Sequence, residues 1–133
     1  MTRRVHFSDW VPRDHISDRY RRADIFATAT TWEGMPNTVL EAMACGLPIV
    51  GTQAPGLHEL VQESVNGYLV PIKDAVALAD ALALLIDNGY ERRRMGRQSR
   101  LLVERQFAWE QIAAQYVEVY HKVLQVTGRN AAG

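Results

Sequence analysis

Two glutamates define the chemistry this chain can offer. Glu33 lies in a stretch of loop formers, Thr30 to Asn37, that contains Gly34 and Pro36. Glu41 follows eight residues later, within a segment from Thr38 to Cys45 whose residues favour helix. A loop that opens a helix in this way leaves the backbone N–H groups of the first turn without intrahelical partners, here near Asn37, Thr38 and Val39. Those donors, together with the helix dipole, favour an anion such as a diphosphate. Pro36 suits a helix start, where its missing N–H costs little. Gly34 lets a ligand approach the main chain. Carboxylates accept hydrogen bonds from vicinal diols, which suits ribose or sugar hydroxyls. Neither glutamate has an adjacent His or Ser, so no triad is visible. On spacing alone, the commoner reading of both is a solvated surface charge.

The flanking residues predict the elements that position this stretch. Val5 to Phe7, Ile25 to Thr28, Ile49 to Gly51 and Tyr68 to Val70 read as short apolar strands. Asp14 is placed to cap a helix that carries Ile16 and Tyr20 on one face. Gly46 is a natural stop for the helix after the signature. Pro55-Gly56 reads as a turn followed by a short helix over 57–62, and Asn66-Gly67 as a second turn. Asp74 caps a helix over 75–87 that Asn88-Gly89 ends. Helices over 91–104 and 109–124 follow, with 127–133 as a frayed tail. Short apolar strands alternating with helices give an α/β fold with a parallel sheet. In such a sheet ligands bind at the carboxyl ends of the strands, where Glu33 falls.

Composition narrows the function classes. Fifteen Lys+Arg balance fifteen Asp+Glu in 133 residues, which argues against a nucleic-acid partner. The single cysteine, Cys45, cannot form an internal disulfide, and a small buried hydrophobe is its better reading. His6, His15, His58 and His121 lack ligand spacing, so no metal site is expected. No apolar run reaches membrane-span length, and Met1-Thr-Arg-Arg leads into no signal core, so the expected location is cytoplasmic. The arginines at 92, 93, 94, 97, 100 and 105 read as a solvated helix face, with Met95, Leu101, Leu102 and Val103 to bury. Trp109, Tyr116 and Tyr120 read as a packing stripe rather than a sugar platform.

The stretch Glu33-Gly-Met-Pro-Asn-Thr-Val-Leu-Glu41-Ala-Met-Ala-Cys-Gly-Leu-Pro-Ile-Val-Gly-Thr52 closely resembles the Glu-x7-Glu signature of glycosyltransferase family 4, also called glycosyl transferases group 1. Ala23-Asp-Ile-Phe26 before it, Pro55-Gly-Leu-His-Glu59 and Asn66-Gly-Tyr-Leu-Val-Pro71 after it, and Phe107-Ala-Trp109-Glu near the end resemble further family elements in order. The resemblance implies a GT-B enzyme's C-terminal, donor-binding domain: a partial, doubly wound, Rossmann-like parallel sheet of about four short strands, with flanking helices and a helical C-terminal region. Residues 1–126 would form this partial domain and 127–133 a flexible tail.

It also implies a function. The family comprises retaining enzymes that move a sugar from a nucleotide-diphosphate sugar to an acceptor hydroxyl. Glu33 would be the catalytic contact to the transferred sugar, helped by Gly34 and Met35. Pro36, Asn37, Thr38 and Val39 would hold the diphosphate, and Glu41 the ribose. Val11 and Arg13 would lie near the base. No metal or other cofactor is implied beyond the donor substrate, and parents of this kind can be membrane-peripheral.

Departures from the family pattern shape the expectation further. By the resemblance, the chain would begin after two strand–helix units that carry an Arg and a Lys for the diphosphate, and would be without the acceptor domain. Pro55 stands at a Gly position and has no N–H for phosphate. Ala108 replaces a capping Ser worth about 1 kcal/mol. The chain alone is therefore expected to be inactive, completed by the missing domain or a partner chain. The alternative is a non-catalytic nucleotide-sugar-binding remnant or interaction subunit. In the doubly wound order, Val5 to Phe7 would be strand 3 and Ile25 to Thr28 strand 4. Strands 1 and 2 would be the missing ones, leaving strand 4 with an open edge. Strand 3 would re-pair against that edge or leave it to a partner or to self-association.

Overall fold

A computed structural model describes residues 4–130, with side chains through Gln125. The chain divides into two compact units, residues 1–100 and 101–133. In the first unit the order is α1 (Ile16–Arg22), β1 (Phe26–Thr28), α2 (Asn37–Ala44), β2 (Ile49–Thr52), a single 3-10 turn (Pro55–Leu57), β3 (Gly67–Val70), α3 (Ala75–Asp87) and α4, which starts at Gly89. The second unit holds the last turn of α4, to Gln106, and α5 (Trp109–Asn130).

The sheet is parallel throughout, in the order β1-β2-β3. Phe26 pairs with Ile49, and Ile49 with Gly67. Every residue of β2 is buried, as a central parallel strand requires. Side chains alternate between its faces. Val50 joins Val70, Ala81, Leu85 and Met95 in a core under α3 and α4, while Ile49 is equally buried on the opposite face. Gly46 ends α2 in the left-handed region at φ +78, as its position predicts. Here α4 crosses so closely that a Cβ on Gly96 would lie 2.1 Å from the Gly46 carbonyl oxygen.

The fold class holds, with three strands in place of about four. Val5 to Phe7 forms no strand, and Val5 and Phe7 are exposed. Residues 5–7 are all exposed, so no buried face fixes their register against β1. Strand 3 thus does not re-pair, and among the described residues β1 pairs only with β2. The β3 edge differs: the Glu63 carboxylate accepts from the Leu69 N–H at 3.1 Å, and Ser64 N–H donates to Gly67 O at 3.0 Å.

Several caps also differ from expectation. Asp14 does not cap α1; the Pro12–His15 turn puts His15 at that position in helical conformation, without a side-chain cap. Asp74 does cap α3, accepting from Ala77 N–H at 2.9 Å. Asn88 ends α3 and also caps α4, its Oδ1 accepting from Glu91 N–H at 3.1 Å, so α4 begins two residues earlier than expected. The helix expected over 57–62 is only the turn Pro55–Leu57. Gly67 belongs to β3 rather than to a turn.

Of the six arginines expected on a solvated face, Arg93, Arg97 and Arg105 are exposed as expected, whereas the other three act as fasteners. Arg92 donates to the Leu85 and Ile86 carbonyls at the end of α3, Arg94 to Glu91 and Ser64 O, and Arg100 to Ala44 O. In the second unit Ile112 N–H bonds to Ala108 O, so α5 starts at the uncapped alanine. Leu101 is exposed, as are Trp109, Tyr116 and Tyr120 on α5, so the expected packing stripe is not buried. Helix α5 runs to Asn130, past the Val126 boundary read from sequence, and residues 131–133 lie outside the described residues.

Asn66 is the polar hinge before β3. Its side chain is buried, donating to Leu60 O at 2.9 Å and accepting from Gln62 N–H at 2.7 Å. Asn66→Ala leaves both groups without partners, and urea denaturation is expected to show a loss of about 2–3 kcal/mol.

Candidate functional site

The loop from β1 to α2 lies at the carboxyl end of the sheet. It is held by main-chain fasteners. Thr52 Oγ1, at the end of β2, donates to Thr30 O in a short hydrogen bond, and Thr30 Oγ1 donates to Trp32 O at 3.0 Å. Gly56 N–H donates to Glu33 O at 3.1 Å. The two backbones touch so closely that a Cβ on Gly56 would lie 1.6 Å from Gly34 O. Only glycine fits there. The Pro55-Gly56 turn, which sequence reading treated as a lost phosphate donor, is thus the seat of the Glu33–Gly34 segment.

Helix α2 follows from Asn37, one position earlier than the Thr38 expected from sequence, with Pro36 as its N-cap. Pro36 has no side-chain oxygen to cap with, and no cap hydrogen bond is made. Val39 and Leu40 N–H both bond to Pro36 O, at 3.0 and 3.3 Å. The Asn37 and Thr38 N–H groups make no hydrogen bond, and both residues are exposed. Val39 differs from expectation: its side chain is buried and its N–H is taken, so it packs the helix start instead of offering a donor.

Glu33 and Glu41 are both half-buried. Glu41 lies one turn after Asn37, so the two share a face of α2. Among the described residues neither carboxylate pairs with a lysine, arginine or histidine. Glu41 Oε2 instead accepts from the Tyr20 hydroxyl of α1 at 3.0 Å. Tyr20 is buried, and its ring lies against Phe26 of β1 at 6.0 Å between centroids, tilted by 55°. Burial, then the hydrogen bond to Glu41 and its negative charge, pushes the Tyr20 hydroxyl up from 10.0 to about 12. The sequence pattern places Tyr20 with Ile16 on one face of α1 and does not show this bond. The signal was its type, since a buried tyrosine hydroxyl needs a partner.

Gly34 and Met35 are exposed beside the helix start. Val11 is half-buried and Arg13 exposed in the segment before α1; no hydrogen bond or ion pair ties either to the signature loop. A shallow cleft of about 300 Å³ lies at the other, amino end of the sheet, lined by Arg21, Asp24, Cys45, Arg92 and others. Of its arginines, Arg21 pairs with Asp18 at 3.5 Å, Arg92 donates to α3 carbonyls, and Arg93 is exposed. Among the described residues no cluster of three His, Cys, Asp or Glu side chains could hold a metal ion, and no helix is long and apolar enough to cross a membrane.

A small parallel sheet with flanking helices is an α/β unit of the kind found in GT-B proteins. The chain belongs to the glycosyl transferases group 1 family, whose model matches residues 1–102. It is 39% identical over 123 residues to the D-inositol 3-phosphate glycosyltransferase of Xylanimonas cellulosilytica, covering 92% of this chain and 28% of that protein. Sucrose-phosphate synthase from Thermosynechococcus elongatus superposes with a TM-score of 0.86 at 30% identity, over 93% of this chain and 31% of that one. The HepE protein of Anabaena, solved with UDP, superposes with a TM-score of 0.79 at 26% identity, over 83% of this chain and 30% of that one. The chain therefore spans about a third of the length of these relatives, and is a partial domain of the family.

Two outcomes test this geometry. Gly56→Ala forces the Glu33–Gly34 segment off its seat; amide shifts at residues 33–35 should move, with a stability loss of about 2 kcal/mol. For Tyr20, the unfolded hydroxyl ionises near 10.0 and the folded one near 12. Its contribution is complete below pH 10 and is lost as pH rises through about 12. Denaturation midpoints should accordingly fall more steeply across that window in the wild type than in Tyr20→Phe.

Proposed function

We propose that this chain is the donor-binding part of a retaining glycosyltransferase that moves a sugar from a nucleotide-diphosphate sugar to an acceptor hydroxyl. The observation that carries the reading is the start of α2. Two N–H groups, of Asn37 and Thr38, stand without partners at the positive end of a helix dipole, flanked by Glu33 and Glu41. Asn37 and Thr38 N–H receive the diphosphate, with Pro36 and Val39 shaping the turn beneath it. Glu41 accepts from the ribose hydroxyls. Glu33, with Gly34 and Met35, meets the hydroxyls of the transferred sugar and stabilises the charge that develops on it. The presence of UDP in the structure of the Anabaena relative supports a nucleotide ligand for this fold. Backbone donors and the α2 dipole answer the diphosphate charge, and the family resemblance calls for no metal.

On this reading the chain binds donor but does not transfer sugar alone, because acceptor recognition belongs to a further domain of a longer protein or to a partner chain. The open edge of β1 is where a further strand, or a second copy, would pair. Pro55, which supplies no N–H, favours the second reading of a binding unit without catalysis.

Titration of the chain with UDP-, GDP- and ADP-sugars, followed by amide NMR, tests the first reading. One of them should shift the Asn37 and Thr38 amides. Glu41→Gln should weaken binding of the free nucleoside diphosphate about tenfold, whereas Glu33→Gln should leave it unchanged and lower the turnover of the longer protein. Absence of any shift with all three donors would overturn the proposal.

A further inference from the structure

Glu41 departs from the usual treatment of a half-buried carboxylate. Such groups are commonly compensated by a cation, but Arg92, Arg94 and Arg100 are engaged with backbone carbonyls or with Glu91. Glu41 is instead held by a neutral phenol, the Tyr20 hydroxyl, at 3.0 Å. A neutral donor fixes a carboxylate without cancelling its charge. It uses one acceptor position on Oε2 and leaves Oε1 and the second lone pair of Oε2.

The phenol is itself fixed. Helix α1 packs on α2, the Tyr20 ring is buried, and Phe26 of β1 holds it edge-tilted. The donor to Glu41 Oε2 is thus held by α1 packing on α2 and by the Phe26 ring of β1. An unrestrained glutamate on a helix has three free torsions and loses that freedom on binding a ligand. One already held loses less, and binds correspondingly tighter.

We propose that Tyr20 is a positioning residue for this site: its hydroxyl presets the Glu41 carboxylate to receive the ribose diol of a nucleoside diphosphate. The inference rests on the reading of Glu41 given above. Tyr20 does not touch the ligand; it acts through Glu41 alone. Its effect should therefore depend on the ribose 2′-hydroxyl and on the presence of Glu41.

The test uses the full chain, with UDP, GDP and ADP and their 2′-deoxy counterparts followed by amide NMR. Tyr20→Phe keeps the ring and removes the hydroxyl. The ribonucleotide that binds should do so about fivefold more weakly in Tyr20→Phe, with no loss for its 2′-deoxy form. In a Glu41→Gln background, Tyr20→Phe should have no further effect on affinity. A purely packing role would lower the melting temperature and weaken both nucleotides alike. Should Tyr20→Phe fail to fold, the wild type decides: the ¹³Cζ resonance of labelled Tyr20 should move with the ribonucleotide and stay with the 2′-deoxy form. Equal losses for the two forms, an unchanged ribonucleotide affinity, or a Tyr20 resonance indifferent to the 2′-hydroxyl would overturn this inference alone. A wild-type chain that binds none of the three nucleotides would overturn the donor-site reading and this inference with it.

Discussion

A strand whose four residues are all buried must have both its edges paired and both its faces covered, and Ile49–Thr52 imposes that demand on the first unit. Its edges take β1 and β3 in parallel register. One face takes Val70, Ala81, Leu85 and Met95 around Val50, which brings α3 and α4 onto the sheet. Parallel pairing then places the turns after β1 and β2 at the same end. The Glu33 loop and the Pro55-Gly56 turn meet there, main chain against main chain. The position of the site thus follows from the burial of one short strand.

The arginine-rich helix shows how charge can serve packing. Helix ends expose carbonyls that carry the negative pole of the dipole. Arg92 covers the end of α3, and Arg100 reaches the end of α2. The guanidinium suits this use, since several N–H donors in one plane can serve neighbouring carbonyls. Helix α4 thereby fastens the carboxyl ends of two other helices, while Gly96 allows it to cross the Gly46 turn at backbone distance.

At the carboxyl end of the sheet the economy is reversed. The start of α2 is left uncapped by a proline, and two carboxylates stand without cations. Each choice forgoes a small amount of stability that Ser, Asp or a basic neighbour would supply. A protein that caps α3 with Asp74 and α4 with Asn88 has the means to cap α2 as well. Local rules broken together at one place, and kept elsewhere, are the pattern that supports the proposed donor site.

The amino-acid sequence alone determined the α/β class, the parallel strands at Phe26–Thr28, Ile49–Thr52 and Gly67–Val70 to within a residue or two, and the neighbourhood of Glu33 and Glu41. These follow from short-range rules: apolar runs, capping residues and the stop at Gly46 act over a few residues. Tertiary structure alone decided the rest. Val5 to Phe7 has a strand's composition but no partner, and pairing is a property of two segments. Asn88 could end one helix or begin the next, and it does both because α4 starts where its side chain can reach. Gly56 looked like an ordinary turn residue until Gly34 was found against it. The Tyr20 hydroxyl found Glu41 across twenty-one residues, a separation at which residue type states a need for a partner but only the packing of α1 on α2 selects which one.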